Sequence, residues 1–231
     1  MSLEKKPVIT IDGPAGAGKT TVSQRIANIY QYTRVDTGAL YRGIALIAKQ
    51  NEIDINDDNE LNHFCQSLQL HFVREGEQLH LYNHNKNISR DIRMPEISLL
   101  ASEISANPLV RQYLLDVQRQ LGKEGGTVFE GRDMGTVVFP DADIKFFLNA
   151  DHSVRAQRRF DECLEKGIKT TFETMSKEMK QRDTQDQKRK IAPLVPAPDA
   201  IHIDCSKMDI DQVVQQMCLE IDKKNIKDKK A

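Results

Sequence analysis

The chain has 231 residues and a formal net charge of −1, which argues against a protein that binds nucleic-acid polymers through a basic surface. Hydrophobic residues make up 39% and charged residues 29% of the chain, as is typical of a globular protein with a hydrophobic core. No apolar stretch reaches the roughly 18 residues of a membrane span. The four cysteines form no C-x-x-C pair and the N terminus does not resemble a signal peptide, so we expect reduced thiols and a cytoplasmic location.

Strands and helices alternate along most of the chain. The strands predicted for the main sheet lie at 7–11, 34–38, 127–131, 144–149 and 200–204. The predicted helices lie at 22–30, 40–48, 97–104, 108–121, 152–167, 171–188 and 210–221. This alternation indicates an α/β fold with a doubly wound parallel sheet and helices on both faces. Ligands of such sheets bind beyond the carboxyl ends of the strands, which makes the residues directly after each strand candidates for a functional site.

One segment departs from this alternation. Residues 68–73 and 79–84 alternate between apolar and polar types around a turn, and 87–92 is predicted to add a third strand. The sequence therefore predicts a small antiparallel β insert between two helical stretches.

A glycine-rich stretch, DGPAGAGKTT, covers residues 12–21 directly after the first predicted strand. Gly13-x4-Gly18-Lys19-Thr20 matches the phosphate-binding pattern G-x-x-x-x-G-K-[ST], with a strand before it and a helix after it. Glycines allow successive backbone N–H groups to converge on one point, and the helix adds the positive end of its dipole. Lys19 would reach the β- and γ-phosphates of a nucleoside triphosphate, and Thr20 would bind Mg²⁺. The predicted triphosphate site consists of Gly13, Pro14, Ala15, Gly16, Ala17, Gly18, Lys19, Thr20 and Thr21.

Three classes of P-loop protein compete at this point: a kinase for a nucleotide or another small molecule, a switch GTPase, and an ATP-driven coupling protein. A GTPase requires an N-K-x-D guanine-binding motif, and the nearest stretch, 85–88, lacks the aspartate. A coupling protein usually has a longer chain and a basic groove, and neither is evident. A kinase requires a second anion site, for which arginine is well suited because its planar guanidinium binds phosphate oxygens in pairs. The candidate arginines are Arg42, Arg132, Arg155, Arg158, Arg159, Arg182 and Arg189.

Four segments and the placement of the β insert together resemble the bacterial cytidylate kinases, a family of P-loop nucleoside monophosphate kinases. The segments are PVITIDGPAGAGKTT (7–21), DTGALYR (36–42), EGRDMGTVVFPDA (130–142) and RDTQDQKRKIAPLVPAPDA (182–200). The resemblance implies direct phosphoryl transfer from ATP, with Mg²⁺, to CMP and dCMP. Another P-loop kinase, or less plausibly an ATPase coupling protein, is the alternative.

The resemblance also implies three regions. The P-loop core is predicted at 1–36, 108–154 and 190–231, the monophosphate-binding region at 37–107 with its insert at about 68–92, and a short helical lid at 155–189. We expect a monomer that binds ATP and CMP or dCMP, and neither nucleic-acid polymers nor membranes.

On the same resemblance, ten residues are expected to contact CMP: Asp36, Thr37, Arg42, Ser102, Arg111, Arg132, Asp133, Arg182, Asp186 and Arg189. Arg42 is expected to hold the CMP phosphate, although Asp36 or Thr37 beside it could equally be a helix N-cap. Ser102, Arg111 and Asp133 are expected to read the cytosine base, and Asp186 the sugar hydroxyls. The spacing of Arg182, Asp186 and Arg189 alone would instead suggest an exposed helix face with an internal salt bridge.

The residues expected to act on the transferred group are Lys19, Arg132 and Arg189. The resemblance implies that Arg155 and Arg158, from the predicted lid, contact ATP. Thr20 and Glu130 are the candidate Mg²⁺ residues, and Glu130 stands where the family usually has aspartate.

Overall fold

The computed structural model describes residues 6–76 and 78–228. The elements, in chain order, are β1 (Val8–Asp12), α1 (Lys19–Tyr30), β2 (Thr33–Asp36), α2 (Thr37–Gln50), α3 (Asp58–Ser67), β3 (Leu70–Glu75), β4 (Gln78–Asn83), β5 (Lys86–Asn87), α4 (Pro95–Ile104), α5 (Pro108–Gly122), β6 (Thr127–Gly131), β7 (Ile144–Asn149), α6 (His152–Glu165), α7 (Phe172–Lys188), β8 (Ile201–Asp204) and α8 (Ile210–Asp228). A 3₁₀ turn forms at Asp91–Arg93 and a π-helix at Met134–Val138. No helix in this described part of the chain is long and apolar enough to cross a bilayer.

The chain folds into two compact units. The first, here called the core unit, comprises the residues up to Arg34 and those from Gly125 onward. The second, the middle unit, comprises Val35–Glu124.

A five-stranded sheet has the order β2-β6-β1-β7-β8. Its strands β6, β1, β7 and β8 form the centre of the core unit, and β2 continues past Arg34 into the middle unit. β1 pairs in parallel with β6 and β7, and β7 pairs in parallel with β8. β1 is buried along its whole length, as its β-branched sequence predicts for a strand inside a parallel sheet. Helices α1 and α8 pack on this sheet, where Ile9 and Ile11 share one apolar cluster with Val22 and Met217. The predicted α/β class with a parallel central sheet is confirmed.

Helices α6 and α7 pack against each other elsewhere in the core unit. Their contact is a separate apolar cluster of Ala156, Cys163, Met175 and Met179. Both helices were predicted from the sequence, with Gly167 in the turn between them. That these helices act as a lid stays a prediction.

The middle unit combines helices α2 to α5 with a three-stranded antiparallel sheet, β3-β4-β5. The hairpin of β3 and β4 forms where the sequence predicts it. The third strand is shorter than predicted, because Ser89 ends the ladder: the backbone N–H of Leu81 donates to the Ser89 hydroxyl oxygen at 2.8 Å. A side chain thus takes a position that a backbone carbonyl would hold in a longer strand.

The predicted start of a core segment at residue 108 differs from the division of the chain into compact units. Residues 108–124 belong to the middle unit, where α5 packs on α3 and α2. Val110 and Leu114 of α5 are fully buried in that unit's apolar cluster with Leu61 of α3. The resemblance implied a core segment that begins at residue 108, but the apolar face of α5 is covered by helices of the middle unit.

Candidate active site

The glycine-rich loop connects β1 to α1 in a conformation that side chains would block. Gly13 has a φ of 146°, and a Cβ atom at this position would lie 2.0 Å from the carbonyl oxygen of Leu148. A Cβ on Gly16, where φ is 73°, would lie 2.9 Å from the carbonyl oxygen of Arg155. The loop therefore packs directly on the end of β7 and the start of α6, and its path depends on these glycines.

Lys19, the first residue of α1, folds back over this loop. Its side-chain Nζ donates hydrogen bonds to the carbonyl oxygens of Gly13 and Pro14, both at 2.7 Å. Burial and the nearby charge of Arg132 hold the pKa of Lys19 well below its usual range, although Glu130 and Asp12 act in the opposite direction. The amine is thus enclosed by the loop's own oxygen atoms.

A hydrogen-bonded group around Glu130 adjoins the loop. Glu130 Oε1 accepts from the Thr20 hydroxyl at 3.2 Å and from Arg34 Nη2 at 2.5 Å, and Glu130 Oε2 accepts from the Ser23 hydroxyl at 2.8 Å. Because Thr20 donates its one hydroxyl hydrogen to Glu130, its oxygen keeps lone pairs for a cation. The Thr20 hydroxyl oxygen could thus hold Mg²⁺ while Glu130 orients it, and the Mg²⁺ role of both residues stays a prediction. Sequence reasoning missed Arg34 and Ser23, since neither lies in a recognised motif.

A second cluster of charged residues links the end of β6 to α7. Asp186, 1% exposed, accepts from Arg132 Nε at 2.9 Å through one oxygen and from Arg189 Nη2 through the other. Burial opposes ionisation of this carboxyl, but the charges of Arg132, Arg189 and Arg182 outweigh it and lower its pKa. An exposed helix face with only an internal salt bridge is therefore wrong for this segment. Asp186 holds two guanidinium groups side by side, and its predicted contact with a sugar stays a prediction.

The arginines of α6 have mainly internal partners. Arg155 is buried, and it donates to the carbonyl oxygen of Ala150 at 2.8 Å, to that of Ala15 at 3.1 Å and to Asp183 Oδ2 at 2.7 Å. Arg158 Nη2 donates to the carbonyl oxygen of Cys205 at 2.9 Å. Arg155 thereby ties α6 to the glycine-rich loop and to α7, and a contact of either arginine with ATP stays a prediction.

Asp36 and Arg42 form an ion pair at the start of α2 in the middle unit. Asp36 caps this helix by accepting from the backbone N–H of Ala39 at 3.3 Å, as the N-cap alternative predicts. Its other oxygen accepts from Arg42 Nη2 at 2.7 Å, and both side chains remain partly exposed. Thr37 is buried in the first turn. The cap therefore orients Arg42 and leaves part of its guanidinium accessible.

The two predicted base-reading residues of the middle unit lie on α4 and α5. Arg111 is largely buried, donates to the carbonyl oxygen of Ser105 at 3.2 Å and stacks over the ring of Tyr41, with 5.7 Å between its Cζ and the ring centroid. The Ser102 hydroxyl is buried and has no hydrogen-bond partner among the described residues. A buried hydroxyl without a partner is uncommon, and it is the kind of group that a ligand can satisfy.

A buried carboxylate that sequence reasoning missed lies at the end of β1. Asp12, 4% exposed, accepts from the backbone N–H groups of Met134 at 2.9 Å and Gly135 at 2.7 Å. Burial raises the pKa of Asp12 to about 6, against the effect of these two hydrogen bonds, and the charge of Asp133 adds to the rise. Asp133 is itself buried directly before the π-helix. The position of Asp12 at a strand end, directly before Gly13, was the available signal.

The predicted residues are divided between the two units. The core unit contains the whole triphosphate loop together with Glu130, Arg132, Asp133, Arg155, Arg158, Arg182, Asp186 and Arg189. The middle unit contains Asp36, Thr37, Arg42, Ser102 and Arg111.

The chain is similar to known proteins along most of its length. The family model for cytidylate kinase matches residues 9–223. A cytidylate kinase of Syntrophotalea carbinolica is 43% identical over 215 residues, which cover 93% of this chain and 92% of that protein. A cytidylate kinase of Streptococcus mutans is 46% identical over 209 residues, covering 89% and 92% of the two chains.

One solved structure, of an uncharacterized protein from Eubacterium ventriosum, matches with a TM-score of 0.54 at 15% identity and covers 95% of this chain and 99% of that one. This likeness supports the fold alone. The family model and the curated relatives decide the assignment: the chain belongs to the cytidylate kinase family.

Proposed function

We propose that the protein transfers the γ-phosphoryl group of ATP to CMP and dCMP. The observation that carries this proposal is the family match over residues 9–223, which spans both the glycine-rich loop and the arginine cluster at Asp186. No covalent intermediate is required, because phosphoryl transfer needs alignment and charge stabilisation more than a protein nucleophile.

The glycine-rich loop is the proposed site of the ATP triphosphate. The N terminus of α1 offers backbone N–H groups, and Lys19 would exchange its bonds to the carbonyl oxygens of Gly13 and Pro14 for bonds to phosphate oxygens. Thr20 would hold Mg²⁺, with its hydroxyl oriented by Glu130. The cation, when bound, neutralises charge on the phosphate oxygens.

Arg132 and Arg189 are the proposed stabilisers of the transferring phosphoryl group. Asp186 binds one nitrogen of each guanidinium and so fixes both in the absence of substrate. Charges held in place before the reaction need no reorganisation when negative charge spreads over the phosphoryl oxygens. The proposed donors to those oxygens are the N–H groups of both arginines that bind neither Asp186 nor the carbonyl oxygen of Gly131.

Replacing Arg42 by alanine is expected to raise the Kd for CMP about 10- to 100-fold, since one charge-assisted contact with phosphate contributes about 1.5–3 kcal/mol. The Kd for ATP should change less than about threefold, because Arg42 and the glycine-rich loop bind different phosphates in this proposal. Isothermal titration with each nucleotide checks both values.

The matched control for this variant is Lys49→Ala, which removes another cation of α2 that pairs with Glu96 at the surface. Its binding of both nucleotides should stay near that of the unchanged protein. An equal loss of ATP and CMP binding in Arg42→Ala would contradict a role of Arg42 in holding the CMP phosphate.

The proposed function is tested by ADP release in a coupled assay with ATP and Mg²⁺, in which CMP, dCMP, UMP, AMP and GMP are supplied in turn. The highest kcat/KM values are expected for CMP and dCMP, because a pocket that pairs with the cytosine amino group rejects a carbonyl in its place. Preference for another acceptor would indicate a different P-loop kinase. ATP hydrolysis that is indifferent to monophosphates would indicate a coupling protein. The expectation of a monomer stays a prediction from the sequence.

A further inference from the structure

Asp12 is a buried acidic residue to which the proposed function assigns no role. It directly precedes Gly13, the first residue of the glycine-rich loop. Its carboxylate oxygens each accept one backbone N–H, from Met134 and from Gly135, although these residues lie more than a hundred positions away in sequence. Asp12 therefore connects the loop to a second segment of the core unit.

The second segment is the start of the π-helix at Met134–Val138. The first N–H groups of any helix lack partners within the helix and must find them elsewhere. Asp133, in the cap position of this helix, makes no side-chain cap hydrogen bond. Asp12 supplies the missing acceptors from β1.

The π-helix lies directly on β1 at this point. A Cβ atom on Gly135 would lie 3.1 Å from the Thr10 hydroxyl oxygen and 3.4 Å from Asp12 Oδ2. The helix start therefore lies close to the strand, and it cannot move away without breaking two buried hydrogen bonds. Its position fixes the two residues that come just before it in the chain, Arg132 and Asp133.

Packing alone does not explain a charged residue at position 12, because burying the charge is unfavourable. Burial disfavours the ionised carboxyl, and an amide of the same shape would not carry that desolvation cost. However, only a carboxylate can accept at both oxygen atoms, as the two N–H donors require.

We infer that Asp12 is a positioning residue of the kinase, which sets the placement of Arg132 and Asp133 by binding the first two N–H groups of the π-helix. This inference rests on the proposed function, in which Arg132 acts on phosphate and Asp133 reads the cytosine base. Asp12 contacts neither nucleotide in this account. It holds the acceptor-recognising residues at a fixed place relative to the glycine-rich loop.

The variant that tests this inference is Asp12→Asn, which keeps the shape but turns an N–H donor toward one of the two backbone donors. We expect kcat/KM for CMP at saturating ATP and Mg²⁺ to fall about 100-fold, as a small misplacement of reacting groups can cause. The preference for CMP over UMP should fall as well. The Kd for ATP, measured by titration, should change less than about threefold, since the hydrogen bonds of Asp12 go to Met134 and Gly135 and not to the glycine-rich loop.

A double-mutant cycle with Asp133→Asn separates positioning from general support of the fold. If Asp12 acts through Asp133, the CMP/UMP preference of the double variant should equal that of Asp133→Asn alone. Additive losses of preference would overturn the inference, as would a loss of ATP affinity in Asp12→Asn as large as the loss of kcat/KM for CMP.

The control is Thr10→Val, which removes a buried hydroxyl on the same strand, beside Gly135, that has no partner among the described residues. Its kcat/KM for CMP should stay within about twofold of the unchanged protein. If circular dichroism shows that Asp12→Asn does not fold, Asp12→Glu takes its place, and an unaltered CMP/UMP preference in that variant would overturn the inference. An unchanged protein that fails to phosphorylate CMP would refute the proposed function instead.

Discussion

Replacing Lys19 by alanine is expected to lower kcat with CMP by about 10³-fold or more, while the protein remains folded. Lys19 is the one cationic residue of the glycine-rich pattern, so no neighbouring lysine in that loop can replace it in the proposed contact with the phosphates. The variant loses two hydrogen bonds to loop carbonyl oxygens but also removes an amine whose charged form is disfavoured by burial. Its melting temperature should therefore change little compared with its activity.

The measurement is steady-state turnover combined with calorimetric unfolding of the same preparation. Lys19→Met serves as the second variant, because it keeps most of the aliphatic side chain and lacks the charge. Both variants should lose activity to a similar extent if the cation is what matters. Two folded variants that retain more than about a tenth of normal kcat would contradict the assignment of Lys19.

Replacing Asp186 by asparagine is expected to lower the free energy of unfolding at pH 7 by about 3–5 kcal/mol, because it leaves two largely buried guanidinium groups without their shared counter-charge. The same change should lower kcat, since Arg132 and Arg189 would no longer be held together. Glu162→Gln is the control, because it breaks only the exposed pair with Arg159 on α6 and should cost less than about 1 kcal/mol.

The pH dependence of this loss follows from the lowered pKa of Asp186. Its pKa in the folded protein lies below the ordinary value of 3.8, so the ionised form stabilises the folded state. This stabilisation is fully present above about pH 4 and is lost as the pH falls through the folded-state pKa. Urea unfolding should therefore show a constant difference between the unchanged protein and Asp186→Asn from pH 7 to about pH 5, and a shrinking one below about pH 4. A difference that grows toward low pH would contradict the role of Asp186 as a counter-charge.

The sequence predicts those features of the molecule that depend on residues close together in the chain. The glycine-rich loop is encoded between Gly13 and Thr20, and the strands and helices around it follow from periodic apolar residues. The third strand of the small sheet was overestimated because one side chain, Ser89, ends it. The location of α5 could not be inferred either, since its apolar face does not reveal which neighbour covers it.

The missed parts of the site join residues far apart in the chain. Arg34 forms a hydrogen bond with Glu130, and Asp12 forms one with the start of the π-helix. No local sequence pattern predicts either contact. The π-helix has no periodic signature of its own, because it is short and its hydrogen bonds skip one residue more than those of an α-helix. The burial of Asp186 could not be predicted either, because helix α7 is rich in charged residues and its sequence is compatible with an exposed surface.

The anchoring of Arg155 limits how the pair of α6 and α7 can swing. Its guanidinium is bound at the same time to the loop at Ala15, to Ala150 and to Asp183 of α7. A rigid displacement of both helices at this end would break the hydrogen bonds that Arg155 donates to the carbonyl oxygens of Ala15 and Ala150. Any movement of this helix pair is therefore expected to be smallest beside the loop and largest at the opposite end, around Gly167.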